Sequence, residues 1–111
     1  MSTFNFDALY ESLKDGVIST AKQTVDNYVT QAESDGQQVL QSLKDDLQRW
    51  TQELENKQLT LDDFTYLLQE EKDLDEMVAL KQAGLAEVQI DEFKNALVNM
   101  IVGTVTSFIK V

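Results

Sequence analysis

Apolar residues recur every three or four positions along nearly the whole chain, and no proline interrupts them. In the first half the stripe runs Leu9, Leu13, Val17, Ala21, Val25, Val29 and Ala32, then Leu40, Leu43, Leu47, Trp50 and Leu54. In the second half it runs Phe64, Leu67, Leu68, Leu74, Met77, Val78, Leu80, Leu85 and Val88, then Phe93, Leu97, Met100, Ile101, Val105 and Phe108. That spacing places the apolar side chains on one face of a helix, whereas a strand would alternate every second residue. Without proline, nothing in the covalent chain forces a helix to stop. The fold class is therefore all-α, and 111 residues suit a single domain spanning 1–111.

The sharpest boundary lies at Leu59-Thr60-Leu61-Asp62-Asp63-Phe64. Thr60 is an N-cap, able to accept from an orphan amide of the next turn. Asp63 sits at the third helical position, where its charge meets the positive end of the helix dipole. Leu59 and Phe64 are spaced as a hydrophobic staple. Asn5 offers a similar cap for the first helix, with Phe4 and Leu9 around it.

Two architectures follow. The first is a long antiparallel helical hairpin, about 7–56 and 61–110, each arm roughly 75 Å long at 1.5 Å per residue. A lone hairpin has one seam and leaves the flanks of both stripes wet, so it is expected to dimerise into a four-helix bundle. The alternative is a monomeric four-helix up-down bundle with breaks near Gly36 and Gly84. Ser34 with Gln37 then forms a capping box, Gly84 ends a helix in the left-handed region and Leu85 supplies the contact beyond it. Phase favours the hairpin, because Ala32, Gly36, Leu40, Leu43, Leu47, Trp50 and Leu54 stay in register at about 3.67 residues per turn, an eleven-residue rhythm. In the hairpin Gly16 and Gly103 fall at one height, where small residues let the arms approach.

Interface residues are expected at Leu47, Trp50, Leu54, Leu97, Ile101, Val105 and Phe108. Trp50, the one tryptophan, reads as a core or dimer-seam residue. The run from Asn95 to Val111 is apolar beyond one stripe and needs cover on more than one side.

Charge narrows the partners. Twenty acidic residues face nine basic ones, a net charge of -11, which repels a phosphate backbone and argues against nucleic acid. The excess sits in residues 31–76, where thirteen acids meet four bases, whereas residues 77–111 hold three of each. No basic n-region precedes an apolar stretch, no run reaches the ~20 apolar residues of a membrane span, and a cytoplasmic location is expected. Peripheral contact with lipid stays open.

Chemistry is narrowed by what is missing. The chain has no histidine and no cysteine, which removes imidazole bases, thiol nucleophiles and zinc sites built on either. No two glycines lie close enough to form a phosphate-cradling loop, and no EF-hand spacing occurs. Asp45-Asp46 and the run Glu70-Glu71-Lys72-Asp73-Leu74-Asp75-Glu76 are the remaining carboxylate clusters. In the hairpin Asp46 and Glu70 lie at similar heights, and a divalent cation or general acid is conceivable there. The simpler reading is a solvated acidic face. No cofactor is expected. The expected function is a non-catalytic helical interaction or scaffold protein that self-associates as a homodimer and offers an acidic surface to a basic protein partner. An amphipathic coat-like or carrier protein on an apolar or lipid surface is the alternative, and an enzyme comes third.

Overall fold

The computed structural model describes residues 4–109, apart from the side chain of Asp73. Among them the chain is all-helical, with no strand. The elements are α1 (Phe6–Thr24), a 3-10 turn (Asp26–Tyr28), α2 (Val29–Glu55), α3 (Leu61–Gln69), α4 (Lys72–Glu76), α5 (Val78–Gln82) and α6 (Glu87–Phe108).

Two caps stand where the side-chain chemistry puts them. Asn5 Oδ1 accepts from the amides of Asp7 (2.9 Å) and Ala8 (3.3 Å) and starts α1. Thr60 Oγ1 accepts from the Asp63 amide at 3.1 Å and starts α3. Gly84, at φ +85, ends α5. Its amide donates to the Lys81 carbonyl and that of Leu85 to the Leu80 carbonyl, with Leu85 and Leu80 both buried. This is a Schellman closure, and glycine fits it because it carries no Cβ.

The expected arms are not continuous. A helix from 7 to 56 would by itself be about 75 Å long, yet the molecule measures 46 × 23 × 19 Å. The first arm breaks at Val25–Tyr28, not at Gly36, and the chain reverses there. Thr24-Val25-Asp26-Asn27-Tyr28 contains no strong helix former, so this is the weakest place in the arm. Helix α2 runs unbroken through Gly36, so the register argument there holds and the break near Gly36 is corrected. Gln37 forms no capping box; its side-chain amide donates to the Lys14 carbonyl of α1 at 3.3 Å. The second arm is interrupted at Glu70–Glu71, at Met77 and at Ala83–Ala86; its expected end at Lys110 lies outside the described residues.

The helices pack side by side. Tyr10 meets Lys44, Lys14 meets Gln37 and Val17 meets Gly36, so α1 and α2 run antiparallel. Trp50 meets Phe64 and Asp35 meets Ala79, so the limb formed by α3, α4 and α5 runs back along α2. After the Gly84 turn, α6 returns between this limb, through Lys94 and Asp75, and α1, through Met100 and Gly16. The stripes face inward. Leu9, Leu13, Leu40, Leu43, Leu68, Phe93 and Leu97 have no exposed surface.

Candidate functional site

The residues expected at an interface are mostly buried within one chain. Leu47, Leu97, Ile101 and Val105 are fully enclosed, Leu54 nearly so, and Phe108 is half-buried. Trp50 packs edge-on against Phe64, ring centroids 6.2 Å apart, with the Arg49 guanidinium 6.0 Å from its ring centre. Gly16 and Gly103 do not face each other across a seam. A Cβ on Gly16 would run into Met100, whereas one on Gly103 would meet open space.

Charge is sorted by limb. Helix α2 and the adjoining α3–α4 stretch, residues 29–76, carry thirteen acids and four bases. Helices α1 and α6, which pack on each other, together carry six acids (Asp7, Glu11, Asp15, Glu87, Asp91, Glu92) and three bases (Lys14, Lys22, Lys94). Exposed carboxylates on the acidic side include Asp45, Asp62, Asp63, Glu70 and Asp75. Asp46 is half-buried and pairs with Arg49 at 3.0 Å. The acidic side is thus one broad surface, not a focused carboxylate pair. Among the described residues no group of three or more carboxylates is gathered to hold a metal ion. The Glu71–Asp75 pairing on one helical face is also lost, because α4 begins only at Lys72.

Between α4 and α6 lies a cleft of about 420 Å³, lined by Gln69, Leu74, Asp75, Asp91, Lys94, Asn95 and Val98. Lys94 Nζ stands 3.3 Å from both Asp75 and Asp91, so the cation is neutralised by its own chain. Near the start of α1, the Tyr10 ring lies 5.0 Å from Lys44 Nζ and 5.6 Å from Lys14 Nζ. Partial burial pushes the Tyr10 hydroxyl up from its ordinary ionisation, Lys14 opposes this and Glu11 adds to it. At the α2–α3 turn a smaller, apolar notch is lined by Leu54, Lys57, Leu59, Thr60 and Leu61.

The polar residue that sequence reasoning missed is Asp35. It lies in α2, only 7% exposed, and both carboxylate oxygens are engaged: Oδ1 accepts from the Ala79 amide and Oδ2 from the Leu80 amide, each at 2.9 Å. A side chain 44 positions earlier in the chain thereby caps α5.

Comparison with known proteins finds no matching family, no similar curated protein and no similar solved structure. Among the described residues no helix is long and apolar enough to cross a membrane.

Proposed function

We propose that this protein is a non-catalytic helical interaction protein that docks onto a basic protein partner through the acidic side formed by α2 and the α3–α4 stretch. The observation that carries the reading is the sorting of charge by limb: thirteen acids against four bases on 29–76, a net of -9, beside six against three on α1 and α6, a net of -3. A surface of one sign speeds encounter with a partner of the other and disfavours like-charged competitors.

The test uses an oligolysine peptide as a defined basic probe and follows backbone amide shifts. Shifts should concentrate on α2 and α3–α4, and affinity should fall at least about tenfold between roughly 50 and 300 mM salt as screening shortens the reach of the field. Neutralising Asp45, Asp62 and Asp63 to Asn should weaken binding further. Salt-insensitive binding, or shifts centred on α1 and α6, would sink the proposal.

Self-association belongs to the same proposal, with a different surface from the one the stripe suggests. Since Leu47, Ile101 and Val105 are already enclosed, a dimer would draw on the exposed Tyr66, Val78 and Val88. Light scattering near twice 12.6 kDa supports it, and a monomer mass removes it. A cytoplasmic setting completes the reading and is checked by fractionation.

A further inference from the structure

We infer that residues 71–84 form a hinged segment latched onto α2 by the Asp35 carboxylate, which opens as a unit while α1, α2 and α6 stay folded.

Four observations converge on this segment. Its two helices, α4 and α5, have five residues each, far below the length at which a helix holds itself together in water. Met77, which joins them, takes φ +38, a left-handed conformation that a side chain with a Cβ adopts only when its surroundings impose it. The segment is bounded by the end of α3 at Glu70 and by the Gly84 turn. Finally, the polar contact that fixes the start of α5 to α2 is the double acceptance by Asp35, placed beside a cleft of about 370 Å³ lined by Ser34, Gln38, Val78 and Gln82. Leu74, Met77 and Leu80 are buried beneath the segment, so the carboxylate adds a directional hold to their packing.

The opened segment also has a ready alternative. From Leu61 to Gln82 there is neither glycine nor proline, so once Asp35 lets go, only repulsion among the acids of 70–76 opposes the growth of α3 through it. Opening would expose Leu74, Met77 and Leu80, all buried in the closed form, and convert an acidic surface into a partly apolar one. The latch is therefore a conformational device built into the third limb.

Amide hydrogen exchange tests it directly. In the unaltered protein, amides of 72–83 should exchange at least about tenfold faster than the buried amides of α2, reporting a local opening below the global one. Asp35→Asn presents an amide donor to one of the two N–H groups and should raise exchange of Ala79, Leu80 and their neighbours about tenfold more, leaving α1, α2 and α6 unchanged. Because the chain has no cysteine, Gln38→Cys with Gln82→Cys can be bridged across the cleft by a short bis-maleimide. That bridge should slow exchange in 72–83 alone, in the otherwise unaltered chain as well as in the Asp35→Asn background. Uniform exchange across all helices, an Asp35→Asn effect spread evenly over the molecule, or a bridge that leaves 72–83 unchanged would each overturn the latch.

Discussion

Three glycines occupy helix interiors, and replacing each by alanine should give three different results. The intrinsic gain is the same, since alanine favours a helix over glycine by about 0.8–1.0 kcal/mol. Surroundings decide the rest. At Gly103 in α6 an added Cβ meets nothing within 4 Å, so Gly103→Ala should keep the whole gain. For 111 residues the unfolding entropy is about 0.23 kcal/mol/K, so Tm should rise by about 4 °C. At Gly36 in α2 the new methyl would stand 2.5 Å from Val17 Cγ1, 3.4 Å from Cγ2 and 3.5 Å from Cβ. Val17 is fully buried, and its β-branched side chain has little rotamer freedom. Relief would have to come from moving α1 off α2, and overpacking of this kind costs about 1–3 kcal/mol. Gly36→Ala should therefore be destabilising by about 1 kcal/mol net, a fall in Tm of about 4 °C. Gly16 lies between these, because the side chain it would strike, Met100, is half-buried and has several soft torsions. Thermal and urea unfolding followed by circular dichroism gives the ranking: Gly103→Ala highest, Gly16→Ala near or above the parent, Gly36→Ala lowest. Combining Gly36→Ala with Val17→Ala should recover about 1 kcal/mol relative to additivity. If Gly36→Ala stabilises as much as Gly103→Ala, the close approach of α1 to α2 is wrong.

Lys57 ends α2 at φ +62, its amide bonding to Leu54 and that of Gln58 to Glu53, so it occupies the position where a Schellman closure prefers glycine. Removing the left-handed cost of about 1–2 kcal/mol, less about 0.5–1 kcal/mol of added chain entropy, Lys57→Gly should stabilise by about 0.5–1 kcal/mol; an unchanged or lower urea midpoint would contradict this. Thr60→Ala removes the acceptor for the Asp63 amide and should cost about 1 kcal/mol, with Thr60→Ser restoring most of it. The raised Tyr10 ionisation means that the folded chain holds that proton longer than the unfolded one. Its contribution is fully present below pH 10.0 and is lost as pH rises through the folded-state ionisation. Tyr10→Phe should accordingly flatten the alkaline fall in urea midpoint, and an identical fall in both proteins would show that burial there has no such effect.

Periodicity made the helices and their inward faces legible, because burial imposes spacing directly on residue type. It hid the first reversal for the same reason. Ala21, Val25 and Val29 keep four-residue spacing across the break, with Ala21 and Val25 buried and Val29, beyond it, half-buried. A turn that preserves phase leaves no slip in the stripe. The usable signal was propensity, the succession Thr24-Val25-Asp26-Asn27-Tyr28. At Gly84 the glycine itself marks a helix end, and there the boundary could be read. Asp35 was unreadable in a different way. An aspartate in the middle of a helix looks like surface until the third limb is laid beside it, and no local pattern specifies a partner 44 residues away.

The breaks in that third limb fall among residues that individually favour helix, so their cause must be collective. Glu70, Glu71, Asp73, Asp75 and Glu76 crowd five acids into seven positions. In one continuous helix Glu71 and Asp75 would be like-charged neighbours. Ending α3 at Gln69 and restarting at Lys72 takes them off one helical face. Asp75 is then free to meet Lys94 of α6, and its backbone carbonyl accepts from Lys81 at 2.6 Å. The remaining orphan amides of α5 are turned toward α2, where a carboxylate waits. The acidic run thus makes the surface on which the interaction reading rests, and it also divides the limb that Asp35 must latch. Raising salt should weaken the repulsion within 70–76 more than the buried contact at Asp35, because exposed charges are screened first. Helicity should therefore rise with salt while exchange at Ala79 and Leu80 stays nearly constant. If those two amides respond to salt as strongly as the exposed turn does, repulsion alone sets the break and the carboxylate merely follows.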